Sequence, residues 1–180
     1  EIDQISKENY FSIQSQIQGL YFLQFFKHSF LSLHFMQKKY DDLLTKLSLL
    51  SIISIQGQVE LEKFKNVLFS TSFSRQIIDE INFDYASLNA IEGELLSNLV
   101  NMYISSGEFW LKIRTDNDVN PSRLLVGDCL GYIGGWGSAA WDDWWNDNLN
   151  PSGQGRRIGQ GLIWGAIGSA APILIKAIPE

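Results

Sequence analysis

Cysteine is all but missing from this chain, and proline is missing from most of it. Cys129 is the sole cysteine, so no intrachain disulfide can form. Before Pro121 there is no proline, and up to Arg114 only Gly19, Gly57, Gly93 and Gly107 interrupt the chain as glycines. So few breakers over such a length exclude a fold of many short strands and tight turns, and favour long helices. Basic charge is scarce too. Fourteen Lys and Arg face twenty Asp and Glu, for a net charge of -6. The adjacent basic pairs are Lys38-Lys39 and Arg156-Arg157. An acidic chain without clustered cations excludes the electrostatic footprint of a nucleic-acid binder.

Catalytic signatures are equally sparse. His28 and His34 stand six apart and do not share one helix face, whereas helical metal pairs use spacings of three or four. Gly131-Tyr-Ile-Gly-Gly-Trp-Gly137 has no GK[ST] ending and is not a phosphate loop. GxSxG, HExxH and CxxC do not occur. Cys129 sits among small and apolar residues with no histidine near it in sequence, which reads as a small buried hydrophobe. No catalytic set, cofactor or histidine-based metal site is implied.

What is present is core-forming material: six Trp, six Tyr and eleven Phe, with 45% hydrophobic residues. The spacing predicts an all-α protein, a helical bundle. Helices are expected over Ser6–Gln18, through the dense apolar stretch Leu20–Met36, and over Leu43–Val59, where the Ile-rich piece Ser51–Leu61 also permits a strand. Glu60–Phe69 reads as helix, and Ser70-Thr71-Ser72 as a cap for one starting at Phe73 or Ser74. Asp84–Ser105 is the clearest amphipathic helix, with Leu88, Ile91, Leu95, Leu99 and Met102 inward and Glu92, Glu94 and Asn98 facing elsewhere. Lys27-His28 in mid-stretch argues against Leu20–Met36 as a membrane span.

After Arg114 the composition changes, with eleven of fifteen glycines and all four prolines lying beyond it. The chain therefore divides into a helical body (1–114), a polar linker (115–121) and a glycine-rich helical hairpin (122–180) packed on the body. One hairpin helix is expected from Ser122 to about Asp147. The other is expected from Arg156 to about Ala171, ending or kinking near Pro172. Gly127, Gly131, Gly135 and Ala139 recur every four residues, as do Gly161, Gly165 and Ser169. Residues four apart share a helix face, so each series is a strip nearly free of side chains. Two such strips allow backbones to approach closely, which would offset the helix cost of about 1 kcal/mol per glycine.

Two segments carry alternatives. Ile158–Ile175 bears no formal charge, is bracketed by Arg156-Arg157 and Lys176, and has the length of a minimal membrane span. It reads either as a buried helix or as a segment able to contact a membrane. Trp141, Asp142, Asp143, Trp144, Trp145 and Asp147 form the one dense aromatic and carboxylate cluster. It reads as a helix end with Asp in water and Trp on the core, or as a site for a hard cation such as calcium or for a carbohydrate.

Tyr103-Ile-Ser-Ser-Gly-Glu-Phe-Trp110, followed by an Asn/Asp/Pro linker and Asp128-Cys-Leu-Gly-Tyr-Ile-Gly-Gly135, resembles small secreted or cell-envelope Bacteroidota proteins that end in a glycine-zipper segment. The likeness covers about the last 80 residues. It implies export and supplies no catalytic residues. Those proteins carry a plainer Gly/Ala zipper, which Trp141–Asp147 interrupts here. A chain beginning at Glu1 is expected either from removal of a signal peptide or from shortening of a longer chain. The expectation is an exported, non-enzymatic helical protein with an interaction or structural role and an unidentified protein partner. The alternatives are a bacteriocin-like protein acting on membranes through its last helix, and a calcium- or carbohydrate-binding module.

Overall fold

The computed structural model describes residues 32–70, 73–112, 121–146 and 149–176, with 169–176 described in backbone alone. The helix expected over Ser6–Gln18, most of Leu20–Met36 including His28, and the linker apart from Pro121 lie outside the described residues. Among the described residues, all regular structure is helical: α1 (Leu33–Leu49), α2 (Ile55–Leu68), α3 (Arg75–Glu80), α4 (Ala90–Lys112), α5 (Pro121–Trp145) and α6 (Gln154–Lys176). Single 3-10 turns at Tyr85–Ser87 and Pro151–Gly153 precede α4 and α6.

Serines set the helix starts. Ser32, Ser54 and Ser74 each accept a hydrogen bond on the side chain from the backbone N–H three residues on, which satisfies one of the orphan donors of a first turn. The helix expected over Leu43–Val59 is thus two helices. It breaks at Ser51, whose φ of 56° is left-handed. There Ile52 N–H donates to Leu47 O and Ser51 N–H to Ser48 O, a two-bond C-terminal cap normally closed by glycine. Leu47 and Ile52 are both buried beside it. The Ile-rich piece that permitted a strand opens α2. The cap expected at Ser70–Ser72 falls instead to Ser74.

The amphipathic helix begins later and runs further than the spacing predicts. Asn89 Oδ1 accepts from the N–H groups of Ile91 and Glu92, and the Glu92 carboxylate accepts from Asn89 N–H. This reciprocal cap fixes the start of α4. Gly107 does not end the helix. A Cβ there would lie 2.7 Å from Phe73 Cγ, so the glycine makes room for a ring. Glu92 and Glu94, expected to face away from the core, are both buried. Glu92 also accepts from Ser54 N–H at 2.5 Å, tying the start of α2 to that of α4.

The core joins Tyr40, Leu44 and Leu47 of α1 to Leu61 and Phe64 of α2, Leu95, Leu99 and Tyr103 of α4, and Ile133 and Trp136 of α5. Tyr40 donates to Leu61 O at 2.7 Å, so its hydroxyl is satisfied inside the apolar cluster. Every residue from Leu124 to Gly137 is buried. A helix covered all round is a central one: α5 packs on α4 and α1 as well as on α6. Pro121 takes the first helical position, where its missing N–H costs nothing. The last helix starts one turn's fraction early, at Gln154, and continues through Pro172 to Lys176 rather than stopping at Ala171.

Candidate functional site

The end of α5 and the start of α6 face each other across a short loop, and the charged residues of both gather there. The loop is held by Asn150, whose Oδ1 accepts from Ser152 N–H at 2.9 Å, a turn in which a side chain stands in for backbone. Arg156 and Arg157 follow in the first turn of α6. Cations at a helix N-terminus oppose the helix dipole, so carboxylates must balance them.

Arg157 is 0% exposed. Its Nε donates to Glu94 Oε1 at 3.1 Å and its Nη2 to Glu94 Oε2 at 2.7 Å, a two-point pair with α4. Its Nη1 donates to Asp143 Oδ2 at 2.8 Å, and Nη2 also reaches Asn150 O at 3.1 Å. Arg156 Nη2 donates to Asp143 Oδ1 at 2.6 Å and to Ala139 O at 2.7 Å, while Nη1 reaches Asp142 Oδ2 at 3.2 Å. Trp136 Nε1 donates to Glu94 Oε1 at 2.8 Å. Burial disfavours both arginine cations, but hydrogen bonds and charge from their carboxylate partners outweigh it and leave both pKa values raised. Gly153 lies directly on this network: a Cβ there would be 2.6 Å from Asp143 Oδ2 and 2.7 Å from Arg157 Nη1.

The Trp/Asp cluster is therefore only partly what the sequence suggests. Asp143 is buried, not in water, and both of its oxygens accept from guanidinium groups. Trp141 is buried and stacks on Trp144 at 5.0 Å, with Trp145 6.1 Å away. Asp147 lies outside the described residues. Among the described residues, no group of three or more His, Cys, Asp or Glu is placed to hold a metal ion.

The small-residue positions meet main chain and rings. A Cβ at Gly131 would lie 2.7 Å from Trp164 C, and one at Gly135 2.6 Å from Trp164 Cδ1. One at Gly161 would lie 2.6 Å from Tyr132 Cε2, and one at Gly165 3.1 Å from Asp128 O. Gly168, outside the four-residue series, takes the place nearest Gly127, with a Cβ position 3.0 Å from Gly127 C. Ala139 is buried and lends its carbonyl to Arg156. The side chain of Ser169 lies outside the described residues.

Two further polar groups sit inside. Trp110 Nε1 donates to Asp128 Oδ2 at 2.8 Å, joining the end of α4 to α5. Cys129 is fully buried, and burial, reinforced by Asp128, pushes its thiol well above the ordinary range. A protonated, inaccessible thiol is neither a nucleophile nor a metal ligand. His34 is exposed on α1.

The residues that sequence reasoning missed are Glu94, Arg157 and Gly168. For Arg157 a signal existed: two arginines in a helix first turn, one loop away from Asp142-Asp143, call for ion pairing. Compared with family models, curated proteins and solved structures, the chain matches none of them.

Proposed function

We propose that this is an exported, non-enzymatic helical protein whose role is structural or interactive, and that α5 and α6 form a glycine-rich antiparallel hairpin, a glycine zipper packed on a helical body of residues 1–114. The observation that carries the hairpin part of this reading is the set of close approaches between the two helices. Gly127 pairs with Gly168, Gly131 with Trp164, and Gly135 with Trp164 and Gln160, in opposite order along the two helices. Glycine here permits backbone contact. The groups with chemical potential are engaged internally: Glu94, Asp143 and Arg157 with one another, and Asp128 with Trp110. Fractionation of the source cells with an antiserum tests export. The protein is expected in the envelope or the medium, and confinement to the cytoplasm would refute this part of the reading.

A second reading is favoured by one feature of α6. Leu162 and Ile163 are 51% and 56% exposed, within the uncharged segment Ile158–Ile175. No helix among the described residues is long and apolar enough to cross a membrane, so the contact proposed is a helix lying in the lipid interface. Dye release from phosphatidylcholine vesicles, with and without phosphatidylglycerol, tests it. Intact vesicles at micromolar protein, across a range of pH, would remove this reading.

A further inference from the structure

The last helix has two apolar faces. One is buried on α5 and α4, through Arg157, Gly161, Gly165 and Gly168. The opposite one carries Gly155, Gly159, Leu162 and Ile163, which share a stripe spanning about 100° of the helix. Leu162 and Ile163 are more than half exposed. A Cβ on Gly155 or Gly159 meets nothing within 4 Å, so neither glycine makes room for anything in the described chain. A surface helix ordinarily turns charge outward, but 158–175 carries none. A helix apolar on all sides is a covered one.

The described chain opens at Ser32, whose side chain caps α1, and residues 1–31 precede it. The first and fifth helices run in the same direction. Tyr40 lies within electrostatic reach of Cys129, and Leu47 Cδ2 lies 3.3 Å from the Cβ position of Gly137. Ser32 therefore stands at the end of the bundle where α5 starts. The later part of α6 lies toward that end too, since Gly168 approaches Gly127 whereas Gly135 approaches Gln160. At the rise of a helix, Ile163 is about 17 Å from the level of Ser32 along the bundle. The twelve residues 20–31 span from about 18 Å as a helix to about 40 Å extended, so they reach the open face.

Their composition fits it. Eight of the twelve are apolar or aromatic, and Lys27 is the one formal charge. Such a run is unfavourable in water. The other exposed apolar residues offer a poorer seat. Phe109 and Leu111 lie near the same end, but two residues apart on α4 they point to different sides. Leu49 stands at the far end of α1, with Ile55 and Val59 beyond it on α2.

We propose that residues 20–31 of the same chain cover the outer face of α6, with phenylalanine rings seated over Gly159 and against Leu162 and Ile163. A face covered from within is closed to lipid. The contact and the membrane reading therefore compete for the same side chains, and one experiment separates them.

Labelling of an introduced cysteine by N-ethylmaleimide tests this on the full chain, with Cys129→Ala removing the native thiol. Ile163→Cys is expected to react at least about tenfold more slowly than Leu49→Cys, a control at the far end. The slow rate should hold on dilution, and F22S/F25S/F26S in the same chain should raise it about tenfold. Equal rates at the two sites would overturn the proposal. So would protection lost on dilution, which marks a second copy, and protection seen only with phosphatidylglycerol vesicles, which marks lipid. Protection that survives the three serines would overturn it as well. Should the serine variant fail to fold, Ile163→p-benzoylphenylalanine is photolysed in the otherwise unaltered chain. Crosslinks are expected to the tryptic peptides 8–27 and 28–38 of the same molecule. Crosslinks elsewhere, to a second molecule, or none at all would overturn the proposal.

Discussion

Arg157 and Glu94, 63 residues apart in sequence, meet in a two-point ion pair with no exposure of the guanidinium. Buried pairs of this kind add little over a well-packed apolar replacement, but losing one member is costly because the other is left charged and dry. Glu94→Ala strips Arg157 of its two-point partner and Trp136 Nε1 of its acceptor. Its expected cost is about 3–5 kcal/mol, read from the urea midpoint with the slope unchanged. A cost below about 1 kcal/mol, the range of exposed pairs, would show that water reaches the network.

The glycines of α6 and α5 divide into two kinds, and alanine separates them. At Gly131 the added methyl would run into the Trp164 backbone, which cannot rotate away. Gly131→Ala is expected to destabilise by about 1–3 kcal/mol, as overpacking does. At Gly159 a Cβ meets nothing within 4 Å, so Gly159→Ala is expected to stabilise by about 0.5–1 kcal/mol through helix propensity. Thermal melts of the two variants should move in opposite directions. Equal shifts of the same sign would mean that the two faces of α6 are packed alike.

Ser51 carries the positive φ that closes α1. For a residue with a Cβ, this left-handed conformation costs about 1–2 kcal/mol, which glycine avoids. Ser51→Gly is expected to raise stability by about 1 kcal/mol, less whatever glycine adds to the entropy of the unfolded chain. Calorimetry of the single variant measures it. A lower melting temperature would indicate that the Ser51 side chain contributes more than its backbone strain costs.

The helical class was legible because it rests on local properties: few breakers, apolar spacing near 3.6, and serines placed to cap. What failed was what required knowing a distant partner. The outward placement of Glu92 and Glu94 followed from the rule that charges on an amphipathic helix face water. It was overridden by Ser54 N–H for one and by Arg157 and Trp136 for the other. The break at Ser51 carried no glycine or proline to announce it. Gly168 escaped because it stands three residues after Gly165, off the four-residue series, although three-residue neighbours also share a face. The four-residue spacing of Gly127, Gly131 and Gly135 was visible, but the carbonyls and rings they approach were not.

Three buried groups make the fold sensitive to alkali. Burial raises the pKa values of Cys129, Tyr40 and Tyr132, with Asp128 adding to the shift at Cys129. Each therefore holds its proton in the folded state beyond the pH at which the unfolded chain releases it. The native state then binds more protons than the unfolded one, and stability falls as pH rises. The contribution is intact below the unfolded thiol value of about 8.5 and is lost progressively above it, with the tyrosines joining near about 10. Urea midpoints are expected to hold steady near neutrality and to decline from about pH 8.5 upward. Cys129→Ala should remove the first part of that decline and leave the tyrosine part. In the folded protein at mildly alkaline pH, Cys129 is expected to react with a thiol reagent only as fast as the chain opens. Labelling at the rate of a free thiol would show instead that α5 is not sealed around it.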